Sequence, residues 1–295
     1  MNKPSSKKKI KVIAIVGATA SGKTAYAIEL AKKVDGEIIS ADSRLVYKGF
    51  NIAAAKPTKE EMQGIPHYMI DIVEPEFDYS AGLYQTQAKE KIYDIDKRGK
   101  TPIIAGGTGL YIDILLKNFE LPAFEPDAKL RKELEQYTSE ELFNILKSKD
   151  AQGAETIEKN DRKKLIRAIE IVNFTQKPLS KSRGIGESEF DIEWIGCNYP
   201  RDILYERINK RVDLMLEQGI VQETKELLDK HGRIYNLVNT IGYREILHYL
   251  DGEMSLDESI ELLKQNTRKY AKRQLTWFRK NENIKWTIFP EKLKK

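Results

Sequence analysis

An almost unbroken apolar run from Ile10 to Val16, ending at Gly17, predicts a strand buried on both faces. Ala27, Leu30, Ala31 and Val34 then recur at helical spacing, and Gly36 closes the pattern. Glu37 to Ala41 reads as a second short strand ending at Asp42, and Thr101 to Ala105 as a third ending in Gly106-Gly107. Between them, Tyr84, Ala88, Ile92 and Ile95 mark one face of a further helix. Strands separated by helices predict a parallel sheet with right-handed crossovers. Ligands of such sheets bind outside the carboxyl ends of the strands. The loops opening at Gly17, Asp42 and Gly106 should therefore meet.

From about Leu121 the pattern turns charged and helical, over Ala128 to Tyr137, Ser139 to Ser148 and Asp161 to Phe174. A polar, glycine-bearing loop is expected from Pro178 to Asp191, and a strand returning to the sheet from Trp194 to Tyr199. Helices follow over Asp202 to Gln218 and Ser259 to Phe278, with a last strand at Ile284 to Phe289. The expected organisation is a disordered basic tail over 1–9, an α/β core over 10–121 and 192–295, and a helical insertion domain over 122–191.

The chain has 295 residues, 40% of them hydrophobic, which is enough for a large core. No apolar run nears the ~20 residues that span a bilayer. A single cysteine, Cys197, excludes an internal disulfide framework and a thiolate zinc cluster. His67, His231 and His248 lie too far apart in sequence to form a metal-ligand motif. A net charge of +5 permits a nucleic-acid partner without demanding one, so the distribution of charge matters more than its sum. Lys7, Lys8 and Lys9 before the first apolar run imitate a secretory leader. That run is short and feeds straight into glycines and a lysine, which a leader leaves unexplained. A cytoplasmic protein is expected.

Gly17-Ala-Thr-Ala-Ser-Gly-Lys-Thr24 satisfies the phosphate-loop pattern Gly-x4-Gly-Lys-Thr, with a strand before it and an amphipathic helix after it. The glycines let backbone amides converge on phosphate oxygens, and the helix N-terminus adds positive potential. Lys23 supplies a point charge, and the Thr24 hydroxyl can ligate Mg2+. The whole stretch Gly17, Ala18, Thr19, Ala20, Ser21, Gly22, Lys23 and Thr24 is thus a candidate diphosphate or triphosphate cradle. Nothing in it selects ATP. Asp42 stands where a catalytic carboxylate would face the ligand, although a polar residue after a strand is often only a turn former. Gly106-Gly107-Thr108-Gly109 also fits a tight strand-to-helix turn. No clear strand ends in a second, metal-orienting aspartate. Asp71 is a candidate by position alone, which argues against a motor or switch NTPase.

Assembled, these residues resemble the bacterial-type tRNA dimethylallyltransferases, the isopentenyl transferases of tRNA. The likeness is carried by the phosphate loop, by Asp42-Ser-Arg-Leu-Val-Tyr-Lys-Gly49 with Ala55-Lys-Pro57, and by Pro66-His67 through Asp71-Ile72 with Tyr79-Ser-Ala81. Gly106-Gly-Thr-Gly-Leu-Tyr111, Arg167-Ala-Ile-Glu170 and Ile241-Gly-Tyr-Arg-Glu245 continue it, and Thr267 through Arg279 completes it. It covers essentially residues 10 to 290.

The resemblance implies a P-loop NTPase-like sheet flanked by helices. It also implies transfer of a dimethylallyl group from dimethylallyl diphosphate to N6 of the adenosine just 3′ of the tRNA anticodon. On that view the phosphate loop grips a prenyl donor, Mg2+ at Thr24 is the cofactor, and Lys23 with Arg207 or Arg211 takes up the leaving charge. Asp42 accepts the adenine proton, and Thr108 contacts the target nucleotide or leaving group. The implied tRNA contacts are Asp42, Ser43, Arg44, Leu45 and Thr108; Arg131, Lys163, Lys164 and Arg167 in the insertion; Asn239, Gly242, Tyr243 and Arg244; and Lys272 and Arg273. A monomer acting on the anticodon stem-loop is expected. One departure stands out: Ala53-Ala54-Ala55-Lys56-Pro57 replaces the family's usual Gly-Thr-Ala-Lys-Pro.

Lys264 to Asn281 carries seven basic residues and no acidic one. At helical spacing Arg268, Lys269, Lys272, Arg273, Arg279 and Lys280 share one sector, and Leu263, Tyr270, Ala271, Trp277 and Phe278 the other. The basic sector is the better RNA candidate, and the aromatics are expected in the core. Leu275 fits neither role. Arg207 and Arg211, one turn apart, also read as a plain solvated ion-pair face. Two enzyme alternatives stay open, a small-molecule P-loop kinase and a prenyltransferase of free AMP or ATP. A non-enzymatic RNA binder is the third, and Asp42 at a strand end argues against it.

Overall fold

The computed structural model describes residues 9–120, 127–179, 184–185 and 187–288. Apart from Lys9, the predicted basic tail lies outside the described residues, as do the boundary at 121–122, part of the 178–191 loop, and Phe289. The chain divides into two compact units, Met1–Leu116 with Ser188–Lys295, and Lys117–Glu187.

The first unit is built on six parallel strands. In chain order they are β1 (Ile10–Gly17), β2 (Gly36–Ala41), β3 (His67–Tyr68), β4 (Thr101–Gly106), β7 (Phe190–Asn198) and β8 (Lys285–Ile288), and their order across the sheet is β3-β2-β4-β1-β7-β8. Successive side chains of a strand point to opposite faces, so a strand covered on both sides must be apolar throughout. Val12, Ala14, Val16, Ile39 and Ile104 join one core cluster, with Tyr84, Ala88, Ile92 and Ile95 of α3 (Ala81–Lys97). Ile13, Ile15, Ile38 and Ile103 join the other, with Ala27, Ile28 and Ala31 of α1 (Lys23–Val34). Each isoleucine fully removed from water there contributes about 2–3 kcal/mol.

Short α2 (Lys59–Met62) and α4 (Gly109–Leu116) complete the first half. The second half adds α9 (Arg201–Glu217), α10 (Ile220–His231), α11 (Tyr235–Val238), α12 (Tyr243–Leu250) and α13 (Leu256–Phe278). Helices α10 to α12 and strand β3 were not expected from the sequence pattern. Strand β7 begins at Phe190, one residue before the loop was expected to end and four before the strand was expected to start at Trp194.

The second unit holds α5 (Ala128–Leu134), α6 (Ser139–Lys149), α7 (Ala151–Glu155) and α8 (Arg162–Thr175). Strands β5 (Phe119–Glu120) and β6 (Gly184–Ile185) pair antiparallel. Thr138 and Glu141 form a reciprocal capping box that starts α6, and Leu142, Leu146, Leu165 and Ile169 form the centre of its own core. Among the described residues, no helix is long and apolar enough to cross a membrane.

Candidate active site

Strands β1, β2 and β4 pair in one register, so their carboxyl ends fall level: Val16 pairs with Gly106, and Ala41 also pairs with Gly106. The three loops beyond them line a single pocket of about 580 Å3. Thr19, Lys23 and Thr24 come from the first loop and α1, Asp42, Ser43, Arg44 and Leu45 from the second, and Gly106 and Gly107 from the third.

The first loop is shaped by two glycines. A Cβ at Gly17 would lie 2.2 Å from the Cys197 carbonyl oxygen of β7, so no other residue passes there. Gly22, at φ 82°, precedes α1 without a side-chain cap, which leaves the helix N-terminus open toward the loop. The Lys23 ammonium donates to the Ala18 carbonyl at 2.5 Å. Burial drags its pKa down to about 8; Arg211 pushes the same way, and the charges of Cys197 and Asp42 oppose it. Lys23 is therefore a cation short of solvation, waiting for an anion. Ser21 is fully buried, and its hydroxyl has no partner among the described residues.

Two arginines of α9 meet this loop differently. Arg211 lines the pocket and donates from Nη1 to the Thr19 hydroxyl at 3.3 Å. Desolvation lowers its pKa. Arg207 donates from Nε to the Ala20 carbonyl at 2.9 Å, with its guanidinium 4.6 Å over the Tyr199 ring. Arg207 braces the loop, while Arg211 faces the cavity.

Opposite the cradle, Asp42 accepts the Arg44 amide at 2.8 Å, its one partner among the described side-chain bonds. Asp42 lines the pocket, where its charge acts on both Lys23 and Arg211. Thr108 ties the second and third loops together: its amide donates to Ala41 O at 3.1 Å, and its hydroxyl accepts the Ser43 amide at 3.0 Å. Tyr270 of α13 also reaches the Thr108 hydroxyl, and burial raises its pKa. His67 bonds the Ile65 carbonyl through Nδ1 at 2.8 Å, so Nδ1 carries the proton and Nε2, with no partner among the described residues, offers a lone pair.

Among the described residues no group of three or more His, Cys, Asp or Glu could hold a metal ion. The donor set fits Mg2+ in another way. Thr24 is exposed on the first turn of α1 and lines the pocket, which suits an ion carried mainly by phosphate oxygens and water.

The sequence profile of the IPP transferase family matches residues 45–281. The chain belongs to that family. It is 46% identical over 287 residues to the tRNA dimethylallyltransferase of Thermoanaerobacter sp. (strain X514), covering 94% of this chain and 91% of that one. It is 48% identical over 283 residues to the enzyme of the same name from Acetivibrio thermocellus, covering 93% and 90%. Among solved structures, the tRNA isopentenylpyrophosphate transferase of Bacillus halodurans matches at a TM-score of 0.72 and 42% identity, over 95% of this chain and 90% of that one. A eukaryotic dimethylallyltransferase acting on tRNA matches at 0.83 and 31% identity, over 95% and 74%. The α/β, P-loop NTPase-like sheet expected from the sequence is thus the fold of this IPP transferase.

Set against this IPP transferase site, several sequence expectations need correction. Tyr243 is fully buried and donates its hydroxyl to Glu223 at 2.6 Å, so its ring is core rather than an RNA contact. Gly242 is buried too; its amide is committed to Glu245 at 2.7 Å, and a Cβ there would lie 2.7 Å from that of Ala53. Trp277, expected in the core, is 41% exposed; it lies against Gly109 and donates to Asp113 at 3.0 Å. Asp71 pairs with Lys56 and lines no part of the pocket.

Asn239, Arg244 and Arg273 line the pocket, and Lys272 is exposed beside them in sequence. Arg131, Lys163, Lys164 and Arg167 belong to the second unit, where Glu170, fully buried, takes both Arg131 and Arg167. The sequence reading passed over Gln274 and His67 as pocket residues. A polar residue at helical spacing with Tyr270, Ala271 and Phe278, in the apolar sector of the helix, is the sequence signal for the first.

Proposed function

We propose that this chain transfers a dimethylallyl group from dimethylallyl diphosphate to N6 of the adenosine 3′-adjacent to the anticodon in tRNA, releasing diphosphate. One observation carries the reading. A carboxylate, Asp42, and a desolvated ammonium, Lys23, line one pocket and act on each other electrostatically, the first able to accept a proton and the second an anion.

The diphosphate sits on the amides of the Gly17–Thr24 loop. The adenine amine approaches from the Asp42 side. Its nitrogen forms a bond to C1 of the allyl group as the C1–O bond breaks, and the bonding electrons leave with the diphosphate. Lys23 and Arg211 take up that charge. The amine is barely acidic before attack, so Asp42 orients it and receives its proton as the C–N bond forms. Mg2+ at the Thr24 hydroxyl would supply further charge neutralisation on the leaving oxygens. Thr108 holds the Ser43 amide and thereby the acceptor side of the pocket.

The exposed basic face of α13, with Lys272 and Arg273, is assigned to phosphates of the anticodon stem-loop. Lys163 and Lys164 of the helical unit are assigned to the same partner. The target base must leave its loop to reach Asp42, which requires single-stranded recognition. Action as a monomer in the cytoplasm belongs to the same proposal.

Incubation with labelled dimethylallyl diphosphate and tRNA, AMP or ATP tests the proposal. Label is expected in tRNA alone. Transfer to AMP or ATP but not to tRNA overturns it.

A further inference from the structure

Gln274 sits on α13, 5% exposed, and spans two loops that come from distant parts of the chain. Its Oε1 accepts the Thr19 amide of the phosphate loop at 2.8 Å. Its Nε2 donates to the Gly107 carbonyl, beyond β4, at 2.9 Å. One amide group thus uses both of its ends on backbone, one on the donor side of the pocket and one on the side that leads into Thr108. Glutamine is suited to this as few residues are, because a single planar group offers an acceptor and a donor in fixed relation.

The neighbourhood is shaped around that bridge. A Cβ at Gly107 would lie 2.2 Å from Gln274 Nε2 and 3.4 Å from the Gly17 carbonyl oxygen. A side chain at 107 therefore displaces the glutamine, and a buried glutamine bonded at both ends cannot swing away without leaving two backbone groups unpaired. The Thr19 amide is also removed from the set that can meet phosphate oxygens, since Gln274 already holds it. Gln274 lines the pocket with one acceptor site and one N–H already committed to the backbone of two loops, which makes it a brace between them.

We propose that Gln274 is a positioning residue for prenyl transfer, fixing the phosphate loop against the Gly107–Thr108 turn so that donor carbon and acceptor amine meet at reacting distance. This rests on the function proposed above. Near-attack geometry is sensitive: a misplacement of about 1 Å costs on the order of 100-fold in rate. Each substrate is held mainly by its own loop, so binding alone survives a small slip between the loops.

The test is steady-state and single-turnover label transfer from dimethylallyl diphosphate to tRNA, with thermal unfolding of each variant alongside. Transfer by the wild-type protein stands or falls with the proposed function, and only the variants bear on Gln274. Gln274→Leu is expected to lower the single-turnover rate about 30- to 100-fold while both KM values stay within about threefold. Gln274→Glu keeps the acceptor for Thr19 but sets a carboxylate against the Gly107 carbonyl, so it is expected to fall nearly as far. Gly107→Ala alone is expected to cost about tenfold or more, yet less than about twofold when added to Gln274→Ala, where the glutamine no longer blocks the methyl.

A wild-type rate in Gln274→Leu overturns the inference. So does a rise in KM with the rate kept. Should Gln274→Leu fail to fold, the Gly107→Ala pair decides: equal costs in both backgrounds contradict the bridge.

Discussion

Strand β2 carries a carboxylate near each of its ends, Glu37 at the amino end and Asp42 just past the carboxyl end. Glu37 is 2% exposed and saturated: Arg98 clasps it through two nitrogens at 2.6 and 2.5 Å, and the Tyr68 hydroxyl donates at 2.8 Å. Those bonds, Arg98 first, hold its pKa down at about 2 against the penalty of burial. Asp42 accepts one backbone amide among the described bonds and lines the pocket. The same acidic chemistry on the same strand is structural where its bonds are filled and reactive where they are left open. The end of the sheet decides which, because ligands enter only at the carboxyl ends of parallel strands.

Mutations can break this contrast. The largest effect is expected at the open end. Asp42→Ala should lower transfer by a factor of about 100 to 10,000 in a single-turnover assay, with tRNA affinity within a few-fold. Loss of tRNA binding to the same degree would make Asp42 a docking residue instead. At the filled end, Arg98→Ala should lower the urea midpoint, because it removes the two guanidinium bonds of a buried carboxylate and leaves it only Tyr68 and Lys100. The same variant, where folded, should turn over at the wild-type rate.

The acid limb sharpens the point further. A folded pKa of about 2 against an ordinary 4.5 means that Glu37 stabilises the protein above pH 4.5, and that this contribution fades as pH falls toward 2. Arg98→Ala should flatten that loss in a pH series of thermal melts.

Lys23 gives the opposite sign. Its ammonium has a pKa near 8, so the cradle loses its charge as pH rises through that value. The kcat/KM for the prenyl donor should drop about tenfold per pH unit above 8, and Lys23→Met should remove that limb while lowering the plateau. The smallest effect belongs to the exposed basic face. Lys272→Ala should weaken tRNA binding only a few-fold and reduce the slope of log affinity against log salt by about one. An unchanged slope would take Lys272 out of the interface.

What the sequence made legible follows from the same physics. Strands β1, β2 and β4 are covered on both faces, so they leave unbroken apolar runs, and a phosphate loop leaves glycines at fixed spacing. The meeting of three loops could be read from strand order alone. Helix α10 was hidden because Glu223, on its inner side, turns toward the Ile52 amide at 2.9 Å and the Tyr243 hydroxyl, so its inward face is not uniformly apolar. Strand β3, at two residues, is too short to show a period.

Tyr243 sits in a segment read for RNA contact, and only the folded chain shows its ring packed 4.8 Å from Phe50. Trp277 stands outside although helical spacing put it in the apolar sector, while Gln274 falls in that same sector and is buried there as an amide. The Trp277 indole bonds Asp113 of α4 and the Gln274 amide a distant loop, and such partners are invisible to periodicity.

The most direct measurement is a crystal structure with a non-transferable dimethylallyl thiodiphosphate and an anticodon stem-loop bound together. The account predicts diphosphate oxygens on the amides around Gly22, Lys23 and Thr24, with an unstacked adenine amine within hydrogen-bonding reach of the Asp42 carboxylate. An adenine amine turned away from Asp42, or a diphosphate seated off the glycine loop, would contradict it.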